Sequence, residues 1–338
     1  MQLQHILSTA VNAIMPIILL ILTGYFLRRI GFLGEAFLKN GNKLTFRVLL
    51  PTTMFINVYN IASFASINWT VVLYCVAMLG VIFLLGMLTA ARASDLPERK
   101  GVLLQCTFRS NFAIIGLPLA AALGGDEATA VASVVSAFTI PFFNILAVVA
   151  LTMYVESGDS GGRLKSVAKS ICTNGLIIGT ALGMICLGIR GAQQAMFGEV
   201  VFSLKRDIPF VYSALNQLKS ITTPFALLVL GGQFVFSAVK GMAKEITVGT
   251  VWRIIIAPAI GIGAAVLLQP LLGFGVNEYP ALIALFGSPT GVSSAIMAGQ
   301  MGSDEQLGTQ LVVWPSLFSM ITIFVIVCVM MYAGLLPV

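Results

Sequence analysis

The sequence predicts an all-α polytopic membrane protein: ten transmembrane helices in two inverted five-helix repeats, with broken crossing helices four and nine. Three observations predict it. The 338 residues are 58% hydrophobic and only 9% charged, with a mean hydropathy of +0.98, which leaves too little polar surface for a soluble globule. Apolar runs of roughly 20 residues, long enough to cross a hydrocarbon core as helices, recur ten times. The stretch from Thr107 to Tyr154 then recurs without a gap from Leu285 to Tyr332, with twelve of 48 positions identical at a constant offset of 178. The matches include Phe108/Phe286, Ser110/Ser288, Gly124/Gly302, Asp126/Asp304, Glu127/Glu305 and Tyr154/Tyr332. Repeated halves in a membrane protein point to transport.

The ten spans fall at approximately 6–27, 44–62, 69–91, 101–123, 129–155, 166–189, 221–239, 248–273, 279–301 and 307–335. They divide the chain into a first repeat over 1–160 and a second over 161–338. Segments following the odd spans of the first half carry Arg28, Arg29, Lys39, Lys43 and Arg47, then Arg92, Arg99 and Lys100, then Arg163, Lys165 and Lys169. The bias of Lys and Arg toward cytoplasmic loops assigns these to the cytoplasm. Segments 63–68, 124–128 and 274–278 lack Lys and Arg and belong on the other side. Both termini are then extracytoplasmic, in a multi-pass protein of the cell membrane. The opening residues lack the basic region of a signal peptide, so the first span is expected to stay. An odd number of spans per repeat gives the second half the opposite orientation. Residues 190–220 break the charge pattern with Arg190, Lys205, Arg206 and Lys219; an amphipathic interfacial helix and a partly ordered connector both suit them.

The net charge of +6 is scattered through short loops and forms no nucleic-acid surface. Five cysteines stand singly inside apolar runs, in neither metal nor redox spacing. The sole histidine is His5, and no deep carboxylate pair or nucleophile with a base is present, so an enzyme is not expected and no cofactor is required.

The candidate site lies where spans four and nine reach mid-membrane. At 1.5 Å per residue, Asn111 lies about 16 Å from the cytoplasmic entry of span four, and Ser288 to Thr290 lie about 14–16 Å in from the opposite entry of span nine. Pro289 lacks an N–H and opens its helix; Gly116 and Pro118 can do so further along span four. Two helices broken at one level aim half-helix N-termini at a shared point, a positive site without a cofactor. Arg109 adds a charge for which no predicted span offers an acid at matching depth, and its natural partner is an anionic solute. Snorkelling toward the cytoplasm is the alternative for Arg109, interhelical glue for Asn111, and bonding back to their own helices for Ser110 and Ser288. Asp126, Glu127, Asp304 and Glu305 read as N-caps and first-turn acids of the spans that follow.

Several segments resemble the auxin efflux carrier family: R-S-N-F-A-I-I-G-L-P-L (109–119), G-Y-F-L-R-R-I-G-F-L (24–33), N-K-L-T-F-R-V-L-L-P (42–51), T-N-G-L-I-I-G (173–179) and P-T-G-V-S-S-A-I-M-A-G-Q-M-G-S-D-E (289–305). Bacterial members described as malonate or dicarboxylate carriers are the most similar in style. The resemblance implies ten spans in two inverted halves, within the broader fold shared with bile-acid carriers. It implies that spans 1, 2, 6 and 7 form a scaffold and dimer contact and that spans 3–5 and 8–10 form a transport unit. Carried onto this chain, the crossover positions are Asn111, Pro118 and Pro289. The chain offers Ser288 and Thr290 where the family often has a second asparagine or other polar group, and Gly175 follows Asn174 where a proline is usual. The substrate-binding set is therefore Arg109, Ser110, Asn111, Ser288, Pro289 and Thr290. The expected protein is a homodimeric secondary carrier that exports a small organic anion, a mono- or dicarboxylate, by an elevator-like shift and without a coupling ion. The rival readings are a sodium-coupled symporter of bile-acid-carrier type and a membrane channel or sensor.

Overall fold

The computed structural model describes residues 15–16, 19–61, 68–154, 173, 175–233 and 241–336. Among them every extended secondary-structure element is helical. After a helical stretch at 19–29 come α1 (Glu35–Leu44), α2 (Leu50–Tyr59), α3 (Trp69–Ala93), α4 (Pro97–Phe108) and α5 (Leu117–Thr152). Next are α6 (Gly175–Phe197), α7 (Leu204–Asp207), α8 (Pro209–Gly232), α9 (Ala243–Val251) and α10 (Ala257–Leu267). The last are α11 (Gln269–Leu272), α12 (Glu278–Leu282), α13 (Ser293–Gln300) and α14 (Glu305–Tyr332). Five-residue π-helical turns at Thr45–Leu49 and Trp252–Ile256 join α1 to α2 and α9 to α10 into continuous rods. In each rod a proline, Pro51 or Pro258, follows the π turn and cannot donate its own helical bond.

Among the described residues, four apolar rods are long enough to cross a membrane: Trp69–Ala93, Phe112–Thr152, Ala243–Leu267 and Glu305–Tyr332. The second has 41 residues and would be about 60 Å long if straight, twice a hydrocarbon core. It is broken at Gly124 (φ −145°, ψ 18°) and Gly125 (φ 61°, ψ −148°), and the positive φ at Gly125 is a conformation that side chains resist. Among the described residues the fold is all-helical, with the long apolar helices of a multi-pass membrane protein.

Several spans differ in extent from the sequence expectation. The second begins at Glu35, so Lys39 and Lys43 lie on α1 and Arg47 in the π turn, none of them in a loop. Residues 190–220 form neither a separate interfacial helix nor a loose connector. They complete α6, make the single turn α7 and begin α8. Ser203 caps α7 by accepting from the Arg206 backbone N–H, and Pro209 opens α8 in the position where its missing N–H costs nothing. Arg190 donates to the carbonyls of Tyr59 and Ile61 (2.8 Å to the latter), so its charge serves the C-terminal end of α2. Residues 6–14 and 17–18 of span one, 62–67, 155–172 with Arg163, Lys165 and Lys169, Asn174, and the end of span seven at 234–239 lie outside the described residues.

The chain divides into two compact units. One comprises Leu20–Trp69 and Ile171–Gln233. Within it, α2 and α6 approach backbone to backbone: a Cβ at Gly183 would lie 3.0 Å from the Phe55 carbonyl, and one at Gly179 would run into the Pro51 carbonyl. Close approach at small residues is how helices gain contact where no hydrophobic effect drives them together. Thr53 and Thr222 add an interhelical hydroxyl bond of 2.9 Å.

The other unit comprises Met1–Leu19, Thr70–Ser170 and Phe234–Val338. At one of its ends the N-termini of α4, α9 and α14 meet: Arg99 pairs with Asp304 at 2.9 Å and with Glu245 at 3.2 Å. Asp304 also caps α14 by accepting from the Leu307 N–H at 2.8 Å, the N-cap role its sequence position predicts. Elsewhere in the unit Asn277 donates to Glu127 at 2.6 Å, which brings together the two turns without Lys or Arg that follow Leu123 and Leu272.

Candidate functional site

Within the unit that contains α4 and α12, two rods are interrupted in mid-course. The first runs as α4, stops at Phe108, is extended at Arg109 (φ −80°, ψ 97°), and resumes at Phe112 as a π turn leading into α5. The second runs as α12 and the π turn Ile283–Gly287, is extended at Ser288 (φ −64°, ψ 147°), and resumes as α13. The two interruptions pair with each other as a short antiparallel bridge between Ser110 and Thr290. The Asn111 N–H donates to the Pro289 carbonyl at 2.7 Å, and the Gly291 N–H donates to the Arg109 carbonyl at 3.1 Å. Each broken segment thereby satisfies backbone groups that the other frees, which a helix broken at membrane depth requires.

The sequence-predicted residues are thus distributed as follows. Arg109, Ser110 and Asn111 meet Pro289 and Thr290 in the bridge, and Ser288 adjoins it. Gly116 and Pro118 are not at the break, which falls several residues earlier. Gly116 ends the π turn, where an added Cβ would lie 2.7 Å from the Ala284 carbonyl, so its missing side chain lets the two π turns pack against each other. Pro118 sits in the first turn of α5.

The side chains here are buried and incompletely partnered. Asn111 Nδ2, Ser110 Oγ, Ser288 Oγ, Ser294 Oγ and Asn144 Nδ2 are all buried without a hydrogen-bond partner. Thr290 Oγ1 lies 3.2 Å from Cys106 Sγ. Arg109, only 3% exposed, donates to Asn144 Oδ1 at 2.8 Å and to the weak acceptor Met297 Sδ at 2.8 Å. In the amide orientation that satisfies both its atoms, Gln105 accepts from Arg109 at 2.7 Å and donates to the Ser294 carbonyl at 3.1 Å. Arg109 therefore does not snorkel. Among the described residues it makes no ion pair. Two helix N-termini, at Phe112 and Ser293, also begin at the crossing and add partial positive charge. Such a site suits an anion or a neutral polar acceptor.

Sequence reasoning missed Gln105 and Met297, which hold Arg109, and a second arginine. Arg253, in the π turn between α9 and α10, is fully buried and donates to the Ser288 carbonyl at 2.8 Å and the Thr107 carbonyl at 3.2 Å. It donates further to the carbonyls of Leu285 (3.1 Å) and Phe286 (2.8 Å). The available signal was an arginine inside an apolar run, W-R-I-I-I, with no acid beside it.

Paired interruptions of two membrane-depth helices, lined by unpartnered polar groups, define a protein of the discontinuous-helix transporter class. The chain belongs to the auxin-efflux-carrier-like family described as membrane transport protein, which it matches over residues 9–160 and 162–327. It is 24% identical over 318 residues to the "Uncharacterized transporter MJ1031" of Methanocaldococcus jannaschii, covering 92% of this chain and 96% of that one. It is 20% identical over 319 residues to an "Uncharacterized transporter" of Methanothermobacter thermautotrophicus, covering 92% and 95% respectively. The protein is a membrane transporter, and its family is one of transporters and not of enzymes.

Proposed function

We propose that this transporter is a homodimeric secondary carrier exporting a small organic anion, a mono- or dicarboxylate, from the cell. The observation that carries this reading is Arg109: a buried guanidinium without a carboxylate partner among the described residues, beside five unpartnered polar atoms and two helix N-termini. Burying a lone cation is costly, and an incoming carboxylate would offset that cost through charge-assisted hydrogen bonds. Arg109, Ser110, Asn111, Ser288 and Thr290 bind the substrate, and Pro289 with Asn111 holds the two broken segments together at the crossing.

Ten spans in two inverted five-helix repeats accompany this reading. The bond from Asn111 to Pro289 supports it, because these residues are separated by 178 positions, the offset of the sequence repeat. The compact unit that carries the crossing supports an elevator-like transport body, and the unit built around α2, α6 and α8 supports a scaffold with the dimer contact. The Arg99–Asp304 pair supports a shared cytoplasmic side for segments 92–100 and 302–305.

Among the described residues no acid lies at the crossing to carry a proton, so the anion crosses as net charge. One elementary charge traversing the full field is worth about 2.3 kcal/mol per 100 mV, which favours anion export from a cell with a negative interior. The test uses sodium-free proteoliposomes at symmetric pH, loaded with labelled organic anion. A potassium-diffusion potential that makes the lumen negative should accelerate efflux. Flux that ignores the potential and needs a sodium or proton gradient would replace uniport with a coupled symporter, and unitary currents would replace the carrier with a channel.

A further inference from the structure

Arg253 spends its charge differently from Arg109. Four of its five N–H donors reach backbone carbonyls, and all four acceptors lie where a half-helix ends: Thr107 in the last turn of α4, Leu285 and Phe286 in the π turn after α12, and Ser288 just beyond it. The C-terminus of a helix behaves as roughly half a negative charge. Two such ends together approximate one negative charge, and the guanidinium supplies one positive charge. Arg253 makes no ion pair among the described residues, and its bonds to these carbonyls explain how it is tolerated at 0% exposure. In transporters built on discontinuous helices, freed carbonyls at half-helix C-termini are the groups that coordinate a mobile cation.

We infer that Arg253 is a built-in counter-cation: a positioning residue that ties the C-terminal ends of both interrupted rods together and fills, by a tethered group, the place of a coupling cation. The inference rests on the crossing being the transport site, but its consequence is read without any substrate. A planar fork with several fixed donors can serve four carbonyls from two chain segments at once, whereas an ammonium with three donors serves fewer.

Thermal unfolding of the purified protein tests this, with choline chloride replaced stepwise by sodium, potassium or methylguanidinium chloride at constant ionic strength. Methylurea serves as the uncharged shape control. The wild-type protein should melt at the same temperature in choline and in sodium. Arg253→Ala should melt lower by roughly 5 °C or more and regain at least half of that loss, saturably, with methylguanidinium or a small alkali cation, but not with methylurea. If Arg253→Ala does not accumulate, Arg253→Lys and Arg253→Met separate charge from volume: Lys should melt above Met and below the wild type. A wild-type melting temperature for Arg253→Ala, rescue by methylurea equal to rescue by methylguanidinium, no rescue by any cation, or equal melting of the Lys and Met variants would each overturn the inference. Since no substrate is present, any of these results leaves the organic-anion reading standing, and failure of that reading leaves the cation result standing.

Discussion

Asn111 and Pro289 share a 2.7 Å hydrogen bond that runs one way only, from the Asn111 N–H to the Pro289 carbonyl. The reciprocal bond cannot form, because proline has no N–H. Two rods that would otherwise each carry unpaired backbone into the membrane are joined at this point, with the Asn111 side-chain nitrogen buried beside it and unpartnered.

Asn111→Ala should weaken substrate binding while expression and folding persist, because its backbone bond to Pro289 survives the change. Losing one side-chain hydrogen bond costs about 1–3 kcal/mol, or roughly five- to over a hundred-fold in affinity. A thermal-shift titration with a panel of organic acids measures it. Unchanged affinity in a folded variant would remove Asn111 from the site.

Gly116→Ala should destabilise the crossing without removing any polar group. The added methyl would meet both the Phe112 ring and the Ala284 carbonyl, and a backbone carbonyl gives way less readily than a side chain. Overpacking of this kind costs about 1–3 kcal/mol. The same substitution at Gly80, where nothing lies within 4 Å of the added carbon, is the control. Equal melting temperatures for the two variants would refute the close-packing argument.

Asp304 does two jobs, capping α14 and pairing with Arg99, so Asp304→Ala should cost more than Asp304→Asn, which keeps an N-cap acceptor and loses only the charge. The cap contributes about 1 kcal/mol and a largely exposed ion pair up to about 1. Here both side chains are only 18% exposed, which puts the pair toward the upper end. Melting temperatures of the two variants measure the difference; an equal or larger loss in Asp304→Asn would contradict it.

The orientation assigned from charge predicts that a cysteine at position 126 is labelled from outside intact cells and that cysteines at 95 and 304 are not. Asp126 and Asp95 are both exposed, so access depends on the side of the membrane and not on burial. Labelling at 95 but not 126 would invert the orientation. Labelling at 304 but not 95 would conflict with the Arg99–Asp304 pair.

The sequence by itself determined what depends on composition and local chemistry. An apolar chain with few charges has to lie in a membrane as helices, since no other open backbone satisfies its own hydrogen bonds there, and the polar residues inside that apolar background drew attention to 109–111 and 288–290. Span limits were less legible. Lys39, Lys43 and Arg190 looked like loop markers, yet each lies on a helix, and Arg190 is held by the carbonyls ending α2. The tertiary structure alone decided which backbone groups meet across long separations. Nothing local to W-R-I-I-I indicates that Arg253 will find Thr107, Leu285, Phe286 and Ser288, because a buried charge is tolerated only through partners that folding brings from elsewhere in the chain. The same holds for Arg109: the sequence showed that it lacked an acid, and only the packed helices decided that Asn144 and Met297 would hold it in place.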